Sequence, residues 1–250
     1  MTISVDLTGR TALITGASSG LGARFGRILA ANGAKVTLGA RRKDRLEELA
    51  AEIGDQAAAI EMDVMREADI VAGFDSAEAA FGTVDTVIAN AGIDGAGMIA
   101  DMPEEEIELT LAINLKGAIL TAREGAKRMM ASGVTKGRIV MIASITAFEP
   151  SPGLVAYSAS KAGVVQAARS MAREWARHGI CVNTISPGYI RTAINDAWFD
   201  TEPGKKQIAR FPKRRLMAEE GLDGPLLFLC SDAAEYVTGA DFVLDDGQTL

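Results

Sequence analysis

Three side chains in the middle of the sequence could transfer a proton together. Tyr157 and Lys161 are four positions apart, so in a helix they share one face. Ser144 directly follows a short apolar run of the kind that forms a buried strand. A free phenol has a pKa of about 10, and a neighbouring cation can lower that pKa by roughly 1–3 units. We therefore expect Lys161 to lower the pKa of Tyr157, so that the tyrosine can exchange a proton beside the Ser144 hydroxyl.

A glycine-rich segment near the N-terminus could bind a phosphate group. Residues 15–22 (TGASSGLG) join an apolar run to a helical pattern and include Gly16, Gly20 and Gly22. Glycines so placed permit a tight turn, close approach to a pyrophosphate and close packing of a helix on the sheet. The N–H groups and the positive dipole end of the helix would face the phosphates. The spacing differs from the commoner G-x-G-x-x-G, and a glycine-rich turn whose serines cap a helix is the alternative.

The same segment also contains the G-x-S-x-G pattern of a serine hydrolase, with Ser18 as the nucleophile. Such an enzyme needs a histidine base, and the sequence contains only His178. His178 precedes Gly179 at the predicted end of a helix, where an imidazolium interacts favourably with the dipole and a glycine ends the helix. The pattern follows the first predicted strand, so no earlier strand supplies a second oxyanion donor. Hydrolysis is therefore the weaker hypothesis for this segment.

The end of the second apolar run indicates which dinucleotide would bind. Rossmann-type sites usually carry an acidic residue about 20 positions after the glycines, which binds the ribose hydroxyls. Residues 39–42 (GARR) stand there and contain no carboxylate. The uncharged Ala40 followed by Arg41 suits a 2′-phosphate, which a guanidinium can bind, and Ser18 could add a hydroxyl. We therefore predict NADP(H) as the preferred cofactor and NAD(H) as the alternative. The other explanation of Arg41 and Arg42, and of Arg42 especially, is the solvated start of a helix.

The composition excludes several other kinds of site. One histidine and two distant cysteines among 250 residues cannot form a multi-histidine metal site, a zinc finger or a disulfide framework, so we predict no metal. A net charge of −7 argues against a nucleic-acid partner. We recognise no secretion signal and no apolar run that approaches the ~18 residues of a membrane span. We therefore expect a cytoplasmic protein with a small-molecule substrate and no membrane association.

Short apolar runs alternate with helical patterns along the whole chain. This alternation predicts a parallel sheet with helices on both faces, which is a Rossmann-like, doubly wound α/β fold. We expect a single domain over residues 1–250. The predicted strands are 11–15, 35–38, 57–62, 86–89, 138–143, 181–186 and 241–244, and the predicted helices are 21–31, 43–53, 67–81, 103–130, 157–177 and 221–230. Ligands bind at the carboxyl ends of the strands in such sheets, and the candidate residues follow strands.

The segment 189–217 is too long for an ordinary connection, so we predict a loop that binds substrate. Its apolar residues would either line a pocket for a ketone or secondary alcohol with hydrocarbon bulk, together with Phe148, or anchor the loop to the core. These residues are Ile190, Ala193, Ile194, Trp198, Phe199 and Phe211. A group of cations could meet a phosphopantetheine thioester or form a solvated face. These cations are Lys205, Lys206, Arg210, Lys213, Arg214 and Arg215.

The motifs jointly resemble those of the short-chain dehydrogenase/reductase family, in its short single-domain branch. The matching positions run nearly from end to end and comprise Thr15–Gly22, Asp63-Val64, Asn90-Ala91-Gly92, Asn114, Ser144, Tyr157 with Lys161, Pro187-Gly188 with Thr192, and residues 231–239. The resemblance implies a Rossmann fold and hydride transfer between NAD(P)(H) and a carbonyl or alcohol. It also implies a homotetramer assembled partly through the helices predicted at 103–130 and 157–177.

The resemblance implies a role for each matched residue. Tyr157 would be the acid in reduction and the base in oxidation, and Ser144 would orient the substrate oxygen. Lys161 would hold the nicotinamide ribose, and Asn114 would hold a water that completes a proton relay to Lys161. Asp63 would contact the adenine. The full set implied in cofactor binding is Gly16, Ser18, Ser19, Gly20, Leu21, Gly22, Arg41, Arg42, Asp63, Val64, Asn90, Ala91, Gly92, Tyr157, Lys161, Pro187, Gly188, Ile190 and Thr192.

Two positions depart from the family pattern. Ala89 stands where many members have an asparagine before the Asn90-Ala91-Gly92 turn. Residues 244–247 (LDDG) replace a usual Asp-Gly-Gly, so Asp246 introduces a charge where the family has glycine. Aspartate tolerates the left-handed backbone conformation better than most residues, so we expect this turn to be retained.

The leading hypothesis is an NADP(H)-preferring carbonyl reductase or alcohol dehydrogenase. A 3-oxoacyl-thioester reductase of the same family is not distinguished from it by the sequence. A serine hydrolase that uses Ser18 and a nucleotide-binding regulator with idle catalytic residues are hypotheses from other classes. The complete set of Ser144, Tyr157 and Lys161 favours an enzyme over a regulator.

Overall fold

A parallel sheet forms the centre of the computed structural model, which describes residues 5–191 and 196–250. In the described part of the chain its strands are β1 (Thr11–Thr15), β2 (Lys35–Ala40), β3 (Ala57–Glu61), β4 (Thr86–Ala89), β5 (Gly137–Ile142), β6 (Ile180–Pro187) and β7 (Asp241–Leu244). They lie in the order β3-β2-β1-β4-β5-β6-β7, and every neighbouring pair is parallel. Every residue of β1, β4, β5 and β6 is buried, which explains why these strands are continuous apolar runs rather than alternating patterns.

Helices cover both faces of this sheet. Over the same described ranges they are α1 (Gly20–Ala31), α2 (Lys43–Ile53), α3 (Glu67–Phe81), α4 (Glu104–Leu111), α5 (Ala118–Ala131), α6 (Val155–Trp175), α7 (Asp196–Phe199), α8 (Glu202–Arg210) and α9 (Asp223–Cys230). On one face Phe25 of α1 and Leu226 of α9 are buried against the sheet. On the other face Phe74 of α3, Ala122 of α5 and Val164 of α6 form a second core. The predicted doubly wound α/β fold is confirmed.

The direction of the chain through the sheet reverses between β1 and β4. From β1 the chain proceeds to β2 and β3 on one side, and it then returns to place β4 on the other side of β1. At such a switch point the connections after the two strands diverge and leave a crevice at their carboxyl ends. The glycine-rich residues 15–22 and the turn 90–92 follow β1 and β4 respectively, so both lie at this crevice.

Two predicted segments differ in form from the structure. The predicted helix 103–130 is divided into α4, a π-helical turn (Ala112–Gly117) and α5, because an inserted π turn leaves no signature in the hydrophobic period. The expected loop 189–217 contains α7 and α8, so the prediction of an irregular loop is wrong for that part. The N-terminus of α8 is capped by Thr201, whose Oγ1 accepts a hydrogen bond from the Gly204 amide (3.1 Å). The cap stabilises the first turn of α8, although the polar, glycine-containing composition of this segment predicts a loop.

No helix in the described ranges is long and apolar enough to cross a membrane.

Candidate active site

The glycine-rich segment forms a turn in which Gly16 and Gly22 leave no room for a side chain. Gly16 adopts φ +70° and Gly20 adopts φ +52°, which are left-handed conformations that favour glycine. A Cβ on Gly22 would lie 2.4 Å from the Gly16 carbonyl oxygen and 2.6 Å from Asn90 Nδ2. A Cβ on Gly20, by contrast, would meet open space. The segment therefore presents bare backbone to the crevice, as a bound pyrophosphate requires.

The N-terminus of α1 is left open to a ligand. Within this fully described helix, the Ser19 side chain makes no capping hydrogen bond, and no acidic side chain stands in the first turn. The interpretation of the serines as helix caps is therefore wrong. Leu21 is half-buried and packs against the core beneath the helix. The first-turn N–H groups and the positive end of the helix dipole thus face the crevice, which suits an anion.

Arg42 closes the other side of the glycine-rich segment. Its Nη2 donates to Ser18 Oγ (2.9 Å) and to Ser19 Oγ (2.8 Å), and its Nε donates to Ser18 Oγ (3.2 Å). Arg41 is exposed, and no contact with the glycine-rich segment is found for it in the described residues. A guanidinium and two hydroxyls thus converge beside the end of β2. This arrangement makes Arg42, rather than Arg41, the residue suited to a phosphate at this position.

The turn after β4 is fastened to the glycine-rich segment. Thr15 Oγ1 accepts hydrogen bonds from the amides of Asn90 (3.0 Å) and Ala91 (3.1 Å), and Asn90 Nδ2 donates to the Thr15 carbonyl (2.9 Å). A Cβ on Gly92 would lie 3.3 Å from Asn114 Oδ1 and 3.6 Å from Lys161 Nζ. The turn 90–92 therefore connects the glycine-rich segment to Asn114 and Lys161, and Gly92 leaves space beside these two side chains.

Ser144, Tyr157 and Lys161 lie together, as the sequence predicts. Ser144 follows β5, and its Oγ accepts hydrogen bonds from the Thr146 amide (3.2 Å) and the Thr146 hydroxyl (3.0 Å). Tyr157 and Lys161 lie in the first two turns of α6, and Lys161 Nζ is 5.5 Å from the centroid of the Tyr157 ring. The buried Nζ donates to the Ile142 carbonyl at the end of β5 (2.8 Å). The end of β5 and the start of α6 thus position all three groups.

Asn114 lies in the π-helical turn, and its side chain contacts Ile93 after β4 and Ser160 of α6. It is buried, its Nδ2 donates to the Ile93 carbonyl (2.8 Å), and its Oδ1 accepts from the Ile93 amide (2.8 Å). Its Nδ2 also lies 3.2 Å from Ser160 Oγ, next to Lys161 in the sequence. The π turn is what directs this side chain toward α6 and the turn after β4, and single π turns of this kind are frequent at functional sites.

Burial shifts the pKa values of the tyrosine and the lysine in opposite directions. It raises the pKa of Tyr157 to about 12, while a hydrogen bond with Ser144 lowers that pKa and the nearby Tyr189 and Asp94 raise it. Burial lowers the pKa of Lys161 to about 8. The expected lowering of the Tyr157 pKa by Lys161 is not found in this structure, because burial raises that pKa and Lys161 is not among the groups that shift it. At neutral pH the tyrosine is a phenol and the lysine is mainly an ammonium.

The remaining predicted cofactor residues lie along the same edge of the sheet. Asp63 and Val64 follow β3, where Asp63 Oδ1 accepts from the Met65 amide (3.0 Å) and Val64 is buried. Gly188 follows β6, which ends at Pro187, and Ile190 is buried. Thr192, Ala193 and Ile194 lie outside the described residues.

Tyr189 and Ser151 were not predicted as site residues, and Tyr189 contacts two of the predicted apolar residues. The Tyr189 hydroxyl lies 3.0 Å from Ser151 Oγ, and the Tyr189 ring stacks on Phe211 and meets Phe199 edge-on. Phe199 and Phe211 are buried, so they anchor the segment to the protein. Trp198 and Phe148 are about half exposed (49% and 53%). Tyr189 directly follows the predicted Pro187-Gly188 motif, which is the signal that could have identified it.

The geometry excludes a hydrolytic pairing of Ser18 with His178. Ser18 follows β1 and lies at the carboxyl edge of the parallel sheet, whereas His178 precedes β6 and lies at the amino edge. Gly179 after it adopts the left-handed conformation of a helix end (φ +72°), and His178 Nε2 accepts from Arg177 Nε (3.1 Å). His178 therefore terminates a helix, as expected.

Comparisons with known proteins agree with the site. The family model described as short chain dehydrogenase matches residues 10–203. The L-rhamnose 1-dehydrogenase (NAD(P)(+)) of Sphingomonas sp. (strain SKA58) is 38% identical, and the match covers 96% of each chain. A short-chain type dehydrogenase/reductase from Mycobacterium marinum superposes with a TM-score of 0.92 at 36% identity, covering 98% of this chain and 97% of the other.

A second solved structure that is similar to this chain contains a dinucleotide. It is the 3-ketoacyl-(acyl-carrier-protein) reductase from Brucella melitensis complexed with NADH, with a TM-score of 0.89 and 32% identity over 98% of this chain and all of the other. The family match covers most of the chain, and the sheet, the crevice and the Ser144, Tyr157 and Lys161 cluster agree with it. This chain therefore belongs to the short-chain dehydrogenase/reductase family of NAD(P)(H)-dependent oxidoreductases that act on CH–OH groups.

Proposed function

We propose that the protein transfers hydride between NADP(H) and a ketone or secondary alcohol, with Tyr157 as the proton donor and acceptor. The observation that carries this proposal is the placement of Tyr157 between Ser144 and Lys161 at the carboxyl edge of the sheet, beside an open helix N-terminus. When bound, the nicotinamide supplies the hydride that a carbonyl carbon accepts. The residues of the chain supply the proton and hold the reactants.

The proton chemistry follows from the positions of three side chains. The Ser144 hydroxyl, fixed by Thr146, donates a hydrogen bond to the carbonyl oxygen of the substrate and orients it toward Tyr157. The phenol of Tyr157 has a pKa of about 12, so it retains its proton at neutral pH and delivers it to the oxygen as negative charge develops there. The Lys161 ammonium stabilises the phenolate that results. We propose that Asn114 holds a water molecule, and that this water supplies a proton through Lys161 to restore the phenol of Tyr157.

The backbone of the crevice fits a dinucleotide. The turn without side chains at Gly16 and Gly22 and the uncapped N-terminus of α1 would hold the pyrophosphate. Asp63 and Val64 would contact the adenine, and the turn 90–92 the adenosine ribose. Lys161 would hold the nicotinamide ribose. Pro187, Gly188, the backbone of Ile190 and Thr192 would hold the carboxamide.

Arg42 is the basis for proposing NADP(H) over NAD(H). Its guanidinium already bonds the hydroxyls of Ser18 and Ser19, so a 2′-phosphate could join a preformed group of donors. No carboxylate stands at the end of β2, where NAD-binding sites usually have one. The similar reductase from Brucella melitensis is complexed with NADH, and NAD(H) is therefore the alternative cofactor.

The substrate is proposed to carry apolar bulk. Exposed apolar side chains belong to the connections after β4 and β5 and to α7, among them Met98, Phe148 and Trp198. The Gly97 amide donates to the Gly153 carbonyl (2.8 Å), which joins the first two of these connections near the start of α6. Apolar side chains at the mouth of the site suit the hydrocarbon part of a ketone.

A 3-oxoacyl thioester is the second candidate substrate. Among the described ion pairs, none involves Lys206, Arg210 or Arg214, so three cations near α8 could meet the phosphate of a phosphopantetheine arm. The relative from Brucella melitensis is named as a 3-ketoacyl-(acyl-carrier-protein) reductase. A substrate screen must therefore include both free ketones and thioesters.

The experiment that tests this proposal is NADPH consumption over ketones, keto-sugars, steroids and 3-oxoacyl thioesters, with Tyr157→Phe as the variant. We expect turnover with at least one carbonyl class and a loss of about 10²–10⁴-fold in Tyr157→Phe, because the acid is removed. NADPH affinity should remain nearly unchanged, since the phenol hydroxyl does not touch the proposed phosphate site. A nucleotide-binding regulator would bind NADPH without turnover, and retained ketone reduction by Tyr157→Phe would refute the mechanism.

We also propose a homotetramer. Leu109 of α4 and Met130 of α5 leave apolar surface exposed on the helices that the family resemblance assigns to the interface. Light scattering after size-exclusion chromatography measures the mass directly, and a mass near that of one 26.3 kDa chain would contradict the proposal.

A further inference from the structure

The two ends of the 189–217 segment meet at one place. The Met217 amide donates to the Tyr189 carbonyl (3.0 Å), and Ile190 forms a parallel bridge with Met217. The segment therefore leaves the sheet after β6 and returns beside its own starting point. We call residues 189–190 and 213–217 the neck. The neck therefore fixes the start and the end of this segment relative to each other.

The C-terminal tail holds the first side of the neck through Gln248. The Tyr189 amide donates to Gln248 Oε1 (2.6 Å), and Gln248 Nε2 donates to the Tyr189 carbonyl (3.1 Å). A Cβ on Gly188 would lie 2.6 Å from Gln248 Oε1, so glycine at this position lets the tail approach. The tail itself is fixed by Asp245, whose carboxylate accepts from the amides of Gly247 (2.9 Å) and Thr249 (2.9 Å).

The tail holds the second side of the neck through Asp246. Its carboxylate pairs with Lys213 and accepts from Arg215 Nε (2.8 Å). The Asp246 side chain is only 15% exposed, although both cations are more than half exposed. Asp246 adopts φ +56°, so the charged residue keeps the left-handed turn that the family usually builds with glycine. The position therefore accepts backbone strain in order to place a carboxylate against the neck.

Tyr189 joins the neck to the connection that precedes α6. The Tyr189 ring stacks on Phe211 (centroids 5.8 Å apart) and meets Phe199 edge-on (6.0 Å). Its hydroxyl lies 3.0 Å from Ser151 Oγ, on the connection that leads from β5 to α6. Tyr189 is also near enough to influence the phenol of Tyr157. Tyr189 thus links the neck to Phe199, Phe211 and the connection between β5 and α6.

We propose that Asp246 and Gln248, together the tail clasp, are positioning residues that hold the neck closed and thereby set the affinity for the carbonyl substrate. The inference rests on the proposed function, since it assigns the 189–217 segment to substrate binding. Asp246 bonds Lys213 and Arg215, away from the predicted cofactor residues and the proton-transfer groups, whereas Gln248 packs against Gly188 of the predicted carboxamide site. Loss of the Asp246 half of the tail clasp therefore weakens substrate binding and leaves the chemical step intact.

The ionic half of the tail clasp predicts a dependence on salt. The bonds from Gln248 to Tyr189 are between neutral groups, whereas the bonds from Asp246 join a carboxylate to two cations that are more than half exposed. The Debye length falls from about 10 Å at 0.1 M salt to about 3 Å at 1 M, so salt weakens only the second kind. With a neutral ketone and saturating NADPH, the KM of the unaltered protein should rise with salt, whereas kcat should not.

The first variant is Asp246→Asn, because asparagine keeps the volume and tolerates the left-handed conformation while it removes the charge. We expect KM for the ketone to rise roughly three- to tenfold, as the loss of two surface ion pairs allows, with kcat within about twofold. The salt dependence of KM should disappear. The matched control is Glu52→Gln, at a position away from the neck. It removes a surface carboxylate that accepts two hydrogen bonds from Arg27 (2.7 and 2.8 Å). The control should retain the KM and its salt dependence.

A mutant cycle identifies the partners. The double variant Lys213→Gln/Arg215→Gln should match Asp246→Asn, and combining all three substitutions should add little further, because the same contact is removed each time. Gln248→Ala should raise KM without changing its dependence on salt. A general loss of stability would instead lower kcat and the melting temperature in all variants, and additive effects on KM would contradict the assigned contact.

Hydrogen exchange tests the clasp without any turnover. In Asp246→Asn the backbone amides of residues 189–217 should exchange faster than in the unaltered protein, while those of the central strands β1, β4 and β5 should not change. If the protein reduces no carbonyl, the proposed function fails and this measurement still decides the clasp. Unchanged exchange in the neck together with an unchanged KM would overturn the proposal.

Discussion

The sequence predicts that Tyr157 and Lys161 lie on one helix face, but it does not predict their pKa values. Their spacing places them on one helix face, and the structure confirms that they lie together with Ser144. Their pKa values depend on burial, which neither spacing nor residue type encodes. Burial raises the pKa of Tyr157 to about 12 and lowers that of Lys161 to about 8. At neutral pH Tyr157 therefore carries a proton that it can donate, and Lys161 is mainly an ammonium beside it.

This protonation state predicts the pH dependence of carbonyl reduction. The Lys161 ammonium is present below its pKa of about 8 and is lost above it, whereas Tyr157 keeps its proton throughout this range. We expect kcat/KM for the carbonyl substrate to be flat between about pH 6 and 7 and to fall about tenfold per unit well above pH 8. Lys161→Met should give low activity without this fall. An increase in reductive kcat/KM between pH 7 and 9.5 would contradict the assignment.

Arg42 and Arg41 are adjacent, and only the structure distinguishes them. Both arginines are exposed, but Arg42 bonds Ser18 and Ser19, whereas no such bond from Arg41 is found in the described residues. We expect Arg42→Ala to raise the Kd for NADPH about 10- to 100-fold, since charge-assisted hydrogen bonds contribute about 1.5–3 kcal/mol. The Kd for NADH should change little, and Arg41→Ala should have a smaller effect than Arg42→Ala. Tighter binding of NADH than of NADPH by the unaltered protein, measured at fixed salt, would refute the cofactor proposal.

At the scale of elements, strand ends are predicted well and helix irregularities are not. Strands β1, β4 and β7 begin and end at the predicted residues, because buried apolar runs are bounded by polar residues or glycines. The π-helical turn that positions Asn114 has no such boundary, and the helical pattern simply continues through it. Helices α7 and α8 depend on contacts such as the cap at Thr201 and the packing of Phe199. Tertiary contacts of this kind do not appear in local periodicity.

The junction of β1, α1 and β4 makes a prediction about its glycines. A Cβ on Gly22 would lie 2.4 Å from the Gly16 carbonyl oxygen, so Gly22→Ala should destabilise the protein by about 1–3 kcal/mol and weaken NADPH binding. Gly224→Ala in α9 is the matched control, because its Cβ would meet no atom within 4 Å. That variant should stay within about 1 kcal/mol of the unaltered protein, because the higher helix propensity of alanine is opposed by Pro225, which disfavours a helical alanine before it. Denaturant unfolding measures both, and equal stability of the two variants would contradict the packing described.

At the scale of the whole molecule, the sheet brings sequence-distant motifs to one edge. Parallel strands that reverse their order between β1 and β4 place residues 15–22, 90–92, Ser144 and 187–188 side by side. The general location of the site could therefore be predicted from the alternation of strands and helices. The contact of the C-terminal tail with the 189–217 segment could not, because it joins Asp246 to Lys213 and Arg215 through side chains without a pattern of their own.

The most direct test of the central claim follows a labelled hydride. Stereospecifically deuterated NADPH, labelled at C4 of the nicotinamide, is incubated with the protein and a ketone that the screen identifies, and the alcohol is examined by mass spectrometry. We expect an alcohol heavier by about one mass unit, with deuterium on the carbinol carbon. Only one of the two C4 positions of the nicotinamide should transfer its label, and Tyr157→Phe should give little product. An unlabelled alcohol from both C4 epimers, or an equal yield from Tyr157→Phe, would contradict it.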